Sequence, residues 1–424
     1  MLAAGIILAL TYIGVIFTRL PRTNFDRPAA ALAGALLMIV FGVLTFQQAI
    51  NSINFETLAL LLGMMMLLAV LQQADFFNVI AAKGVSFANR PWQLLTLIVL
   101  ITGVGSAFLV NDVMVLIFTP VVIHACRILK INAVPYLLAE AMASNIGSTA
   151  TIVGNPQNML IGVTSGISFA DFIKYLAPVA IAGSAILIIV IYIFYRKEMN
   201  RDFRISNEDL RSFSVISGRP AAAREKRLLF TSGPVLILAI AAMFLSGLLH
   251  LSIPVIAMIA GVLAVVLSGI RPSIVLHQVD WPLIVFFAGL FIVIGGAQHS
   301  GLLDSLTLYL DIKPDLGGIA SMHIFSTVVS QIVSNVPLTM LVIPLIKDVP
   351  GNVLWISLAA GSTLGGNATI IGAIANIIVI EQAYKQDIKI GWWEFSKVGL
   401  VVTVLTIAAS IAIIYLETSL GILK

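Results

Sequence analysis

Charged side chains are scarce in this chain, with 24 Lys and Arg and 20 Asp and Glu among 424 residues. Soluble domains carry roughly a quarter charged residues. At 10% the chain cannot coat a water-facing surface, and it reads as an all-α polytopic membrane protein. The single cysteine, Cys126, excludes an internal disulfide and any multi-thiolate metal site. No His pair has metal-ligand spacing, no Gly-rich loop ends in Lys-Ser/Thr, and no nucleophile elbow occurs. No catalytic residue, metal ligand, bound cofactor or nucleic-acid partner is therefore expected. If such a chain moves a solute, the energy has to come from an H+ (or Na+) gradient or from a separate ATPase subunit. Met1–Thr18 lacks a basic n-region and reads as a first spanning helix rather than a cleavable signal.

What is abundant is apolar length: 59% of residues are hydrophobic and the mean hydropathy is +1.06. Runs near the ~20 residues that cross a bilayer fall at 1–18, 29–46, 56–75, 93–126, 135–163 and 175–195, and again at 231–249, 254–270, 281–299, 318–346, 351–381 and 397–417. Between the two sets, 196–230 is a polar linker with nine Lys/Arg and five Asp/Glu. The flanking halves, 1–195 and 231–424, overlay. "LLLGMMMLLAVLQQ" (Leu60–Gln73) matches "FFAGLFIVIGGAQH" (Phe286–His299) at an offset of 226, and "LVNDVMVLIFTP" (Leu109–Pro120) matches "VSNVPLTMLVIP" (Val333–Pro344) at 224. "GSTATIVGNPQN" (Gly147–Asn158) matches "GGNATIIGAIAN" (Gly365–Asn376) at 218. Apolar composition alone would not align the glycines, prolines and amides.

Segments 93–126 and 318–346 carry polar centres, "VND" and "SNVP", and read as re-entrant hairpins with tips at mid-membrane. Segments 135–163 and 351–381 read as broken helices. Five crossings and one hairpin per half invert the second half relative to the first, about ten spans plus two hairpins in all. The positive-inside rule agrees. With the N-terminus outside and the central linker cytoplasmic, 20 of the 24 basic residues lie inside, Arg27 among them. The expected location is the plasma (inner) membrane.

Non-helical backbone at membrane depth persists only where protein buries it or a cavity faces it. Half-helix N-termini there favour anions. The candidate binding residues are Asn111, Asn145, Ser148, Thr149, Thr151, Asn155 and Asn158 from the first half. Ser334, Asn335, Thr363, Asn367, Thr369 and Asn376 come from the second. Each Ser or Thr is equally readable as helix-packing glue. Asp112 has Val336 as its counterpart, and an ionised carboxylate at that depth pairs, titrates or binds a cation. Asp112 and, next, Glu140 are the candidates for proton or ion coupling, against the alternatives of a helix cap and a structural hydrogen bond. His124 and His323 read as interfacial.

At "NDVMVLIFTPVV" (Asn111–Val122), "SNIGSTATIVGNPQN" (Ser144–Asn158), "SNVPLTMLVIP" (Ser334–Pro344) and "GSTLGGNATIIGAIANIIV" (Gly361–Val379) the chain resembles the ion transporter superfamily. Within it, the nearest likeness is to the arsenite permease / D-type sodium–proton antiporter group, related to the divalent anion/sodium symporters. The resemblance implies an elevator-type carrier in which Asn111, Asn145, Asn335 and Asn367 line the site. "GNPQN" replaces an acidic "GDPPN"-like form of related antiporters, and the symporters' Ser-Asn-Thr signature is incomplete. With no Lys or Arg expected near mid-membrane, a neutral or singly charged oxygen-rich solute is easier to hold than a multiply charged anion. The leading expectation is arsenite or antimonite efflux in exchange for protons through Asp112. The alternatives are proton- or sodium-coupled transport of small carboxylates or inorganic anions, and sodium–proton antiport. The expected partners are the lipid bilayer and a small oxyanion or metalloid solute, with a homodimer and a separate ATPase subunit as the protein partners to look for.

Overall fold

The computed structural model describes residues 1–16, 26–73, 90–200, 223–303 and 312–423. Most of the polar linker, and Arg19, Arg22, Asp75 and Lys83, lie outside the described residues. Among the described residues there are twenty α-helices, two short 3-10 turns and no strand. Seven helices are long and apolar enough to cross a membrane, and seven further apolar helices run 10–17 residues.

In chain order the first half contains α1 (Leu2–Ile16), α2 (Arg27–Val40), the short α3 (Phe46–Asn51), α4 (Phe55–Gln73), α5 (Pro91–Leu109) and α6 (Asn111–Ile128). It continues with α7 (Val134–Ser148), α8 (Pro156–Ser165), α9 (Phe169–Phe194) and the short α10 (Arg196–Met199). The second contains α11 (Ala223–Phe244), α12 (Ser246–Leu249), α13 (Ile253–Ser268), α14 (Pro272–His277), α15 (Trp281–His299) and α16 (Leu316–Val333). It ends with α17 (Asn335–Ile346), α18 (Val353–Gly365), α19 (Ile374–Tyr384) and α20 (Trp392–Ser419). Local chemistry sets the starts. Asp26 accepts from the Ala29 amide at 3.0 Å ahead of α2, and Asp280 from the Leu283 amide at 3.0 Å ahead of α15. Thr45 and Gln48 close a capping box on α3.

Single residues separate α5 from α6 and α16 from α17. Val110 has φ 64° and Ser334 φ 74°, a region that L side chains rarely adopt and a β-branched residue least of all. The first residue of each polar centre, Val110 of "VND" and Ser334 of "SNVP", makes the turn, and the residues after it open the following helix. The arms run 19 and 18 residues in the first pair and 18 and 12 in the second. A short non-α stretch interrupts each of the other two paired segments. α7 ends at Ser148, a 3-10 turn follows over Ile152–Gly154, and Pro156 opens α8; α18 ends at Gly365, with its turn at Ile370–Gly372.

The helices pack as two bodies. One holds α1, α2, α4, α11, α13 and α15, with α4 lying on α13 and α2 on α15. Gly63 lets α4 touch the Ala257 backbone, and Gly289 lets α15 touch Ala31, where an added Cβ would sit 2.8 Å from backbone carbon. The other body holds α5 to α9 and α16 to α20, with α5 on α7, α16 on α18 and α9 against α20. The bodies meet chiefly through α4 on α8, α15 on α17, α1 on α16 and α9 on α11.

Candidate functional site

Four helices in the second body begin at one place. Asn111 opens α6, Asn335 opens α17, Pro156 opens α8 and Ile374 opens α19. The first residues of all four line a cavity of about 40 Å³, together with Gln157, Ser334, Val336, Ala373 and, from the first body, Arg27, Leu283 and Phe286. The first-turn amides of an α-helix have no partner within the helix, so this small space gathers four partly positive helix ends. An adjoining cavity of about 100 Å³ shares Asp112, Pro156 and Leu283 and adds Gln72, Gln278 and Asp280.

Arg27 corrects the sequence reading, which placed it in an inside loop and expected no cation near the site. It is the first residue of α2, and the packing of α2 brings that end against the α5–α6 and α16–α17 junctions. Asp112 lies in the field of Arg27, which attracts it, and of Asp280, which repels it. Nothing in the local sequence marks Arg27, because a basic residue at a helix start satisfies the positive-inside pattern wherever the helix ends up.

Behind the cavity lies a buried amide network. Asn111 Nδ2 donates to Asn145 Oδ1 at 3.2 Å. Asn145 Nδ2 donates to Asn367 Oδ1 at 2.9 Å and Asn376 Oδ1 at 3.0 Å. One asparagine thus ties the α5–α6 junction to both sides of the second helix break. Among the described residues, Asn111 Oδ1, Asn335 Oδ1 and Asn367 Nδ2 are buried without a hydrogen-bond partner.

Other expected site residues face the unwound backbone. Asn158 Nδ2 donates to the carbonyls of Ser148 at 3.1 Å, Thr149 at 3.3 Å and Thr151 at 3.0 Å. Its counterpart Asn376 serves those of Gly366 at 2.8 Å and Thr369 at 3.0 Å. Asn155 caps α8 through the Asn158 amide at 2.8 Å and also reaches Ser148 Oγ at 3.1 Å. Ser148 and Thr149 hydroxyls donate to the Asn145 carbonyl, and Thr151 to that of Ala107. Thr363 Oγ1 accepts from Asn155 at 3.4 Å and from Gln157 at 3.3 Å. Thr369 donates to Gln331, which the sequence reading passed over and which also holds the Gly365 carbonyl at 2.8 Å.

Glu140 stands apart from both cavities. It is buried, accepts from Thr119 Oγ1 at 2.9 Å through Oε1, and Oε2 has no partner among the described residues. His323, expected at an interface, is fully buried because α16 packs on α20, and its ring bonds Ile319 O at 2.8 Å and Ser410 Oγ at 2.9 Å. On the far side of the α15–α17 contact, a larger cavity of about 640 Å³ is lined by Gln48, Asn51, Asn54, Thr164, Gln298 and His299, among others.

A 46 kDa membrane protein of Mycobacterium leprae is 32% identical over 418 residues, 95% of this chain and 96% of that protein. The human P protein is 26% identical over 503 residues, covering 97% of this chain and 59% of that longer protein. The YdaH transporter of Alcanivorax borkumensis has the same fold, with a TM-score of 0.62 at 13% identity over 99% of this chain and 97% of that one. Neisseria gonorrhoeae MtrF gives 0.57 at 11% identity over 98% and 93%. A family model described as CitMHS, citrate transporter, matches residues 12–353. The match supports the broad resemblance to ion transporters without singling out the arsenite permease group. The chain belongs to the CitMHS citrate transporter family and is a multi-pass membrane transporter.

Proposed function

We propose that the protein is an ion-gradient-driven carrier of small carboxylates or inorganic oxyanions, held where four helix N-termini and Arg27 face one cavity. That convergence is the observation that carries the reading. Each helix end acts as roughly half a positive charge, so four ends and a guanidinium outweigh the two carboxylates, Asp112 and, in the adjoining cavity, Asp280. Arg also presents a donor fork that fits a carboxylate. The small cavity exceeds the ~10–15 Å³ that admits one water, so it has room for one small polar group such as a carboxylate, with the adjoining space for the remainder of the solute. The unpartnered oxygens of Asn111 and Asn335, with Asp112, suit a coupling H+ or Na+ beside the anion.

The carrier works as an elevator built from inverted halves, with 1–195 and 231–424 as repeats and 196–230 as a cytoplasmic linker. Matched packing supports this: Gly63 on Ala257 mirrors Gly289 on Ala31, and Asn158 and Asn376 bind carbonyls at equivalent positions. The body holding the four junctions is the moving one, the N-terminus lies outside, and the membrane is the inner (plasma) membrane.

Arsenite or antimonite efflux in exchange for protons is the second reading. It is favoured by the uncharged Asn111–Asn145–Asn367–Asn376 network, whose free Asn111 Oδ1 accepts from a neutral hydroxide and whose free Asn367 Nδ2 donates to one. Thermal unfolding of the purified protein with citrate or arsenite, with and without sodium at two pH values, separates the two. Stabilisation by citrate that disappears in Arg27→Gln supports the anion carrier. Stabilisation by arsenite alone, retained in Arg27→Gln, replaces it with the metalloid reading.

A further inference from the structure

Three charged residues meet at the boundary between the two bodies, and their counterparts in the other half are all uncharged. Arg27 opens α2 and is followed by Pro28; Ile253 opens α13 and is followed by Pro254. Asp280 caps α15 by accepting from the Leu283 amide at 3.0 Å; Asn54 accepts from the Thr57 amide at 2.9 Å ahead of α4. Asp112 is the second residue of α6, and Val336 the second of α17. The offset of 226 that relates α2 to α13 and α4 to α15 is the one at which Gly63 touches Ala257 and Gly289 touches Ala31.

Two adjoining cavities link the three charges. Arg27 and Asp112 line the smaller cavity, and Asp112 and Asp280 line the adjoining one. Arg27 and Asp280 belong to one body and Asp112 to the other. Nearby Asp26 is exposed and occupied with the Ala29 amide. The contact between bodies is one-sided in the same sense. α8 packs on α4 and α17 on α15, while their counterparts, α19 against α15 and α6 against α4, touch marginally at most.

We propose that Arg27 and Asp280 form a fixed electrostatic latch for Asp112 that sets the resting position of the moving body. In the opposite position the equivalent place holds Ile253, Asn54 and Val336, none of which carries a charge, with the exposed Glu56 in the first turn of α4 as the nearest acid in sequence. The latch rests on the two-body reading of transport above and is independent of the solute. Arg27 draws Asp112 into the position seen here, and Asp280 weakens that pull. Neutralising one or the other therefore shifts the equilibrium in opposite directions, which a merely structural role for either residue would not produce.

Cys126→Ser removes the only thiol, so cysteines introduced at Leu283 and Val336, which line the same cavity from opposite bodies, report the position cleanly. The readout is the initial rate of oxidative cross-linking in the full-length protein in proteoliposomes at low salt. Arg27→Gln is expected to slow cross-linking and Asp280→Asn to speed it, each by roughly tenfold. Arg27→Lys keeps the charge and should stay near the wild-type rate. In an Asp112→Asn background neither neutralisation should change the rate further. Shifts in the same direction, no shift, or effects that survive Asp112→Asn overturn the latch, as does an Arg27→Lys rate as low as that of Arg27→Gln. Cross-linking needs no solute, so a failure to bind citrate or arsenite does not affect this outcome.

Discussion

Replacing Asn145 by alanine tests the buried amide network at its hub. The substitution strands three groups: Asn111 Nδ2, Asn367 Oδ1 and Asn376 Oδ1. A buried polar group left without its partner costs about 1–3 kcal/mol. Not all three pay in full. Asn367 has an unpartnered Nδ2 and can turn its amide toward whatever replaces the lost donor, and Asn111 borders a cavity that can admit water. Asn376 has no such freedom, because its Nδ2 is committed to the Gly366 and Thr369 carbonyls. A loss of about 2–5 kcal/mol follows, one full penalty plus partial ones. Asn145→Asp keeps the acceptor for Asn111 but sets an oxygen against Asn376 Oδ1, so it should be no better tolerated. Equilibrium unfolding in mixed micelles, titrated with SDS, measures both. An Asn145→Ala protein within about 0.5 kcal/mol of wild type, the range of neutral surface changes, would refute the network as a source of stability.

Asn158→Ala and Asn376→Ala should each cost about 1–3 kcal/mol in the same titration, because each frees carbonyls of an unwound segment. Asn155→Ala should cost only about 1 kcal/mol, since Ala373 starts α19 with no side-chain cap at the equivalent place. Ser334→Gly should hold or raise stability by up to about 1 kcal/mol, because φ 74° is strained for serine; a lower melting temperature would contradict that. Gly147→Ala adds a Cβ that overlaps the Gly103 backbone, and the forced separation of α5 and α7 should cost about 1–3 kcal/mol in thermal unfolding.

The first helix break was legible in the sequence because Gly154 and Pro156 stand together with Asn155, Gln157 and Asn158 inside one apolar run, where unwound backbone and amides persist only against protein or a cavity. The paired "ATIVGNPQN" and "ATIIGAIAN" stretches likewise mark Asn158 and Asn376 as equivalent polar positions. Their partners were not legible: spacing along a chain does not say whether an amide points at a cavity or at its own unwound carbonyls. The "VND" triplet announces a turn, but the residue that makes it is Val110, whose branched side chain argues against φ 64° until tertiary packing imposes it. Arg27 was illegible as a site residue for a different reason. Its placement depends on how far one body sits along the other, and no local pattern encodes that distance. His323 was read as interfacial for a similar reason, since it lies midway along α16 and only the packing of α16 on α20 shows that it is buried.

Flux is the most direct measurement. In proteoliposomes carrying an imposed proton or sodium gradient, wild-type protein should accumulate labelled citrate against its own gradient, and Arg27→Gln and Asn335→Ala should abolish that accumulation while still folding. Citrate and other small carboxylates left unmoved under either gradient, or moved equally well by Arg27→Gln, would contradict an anion site built from four helix ends and one guanidinium.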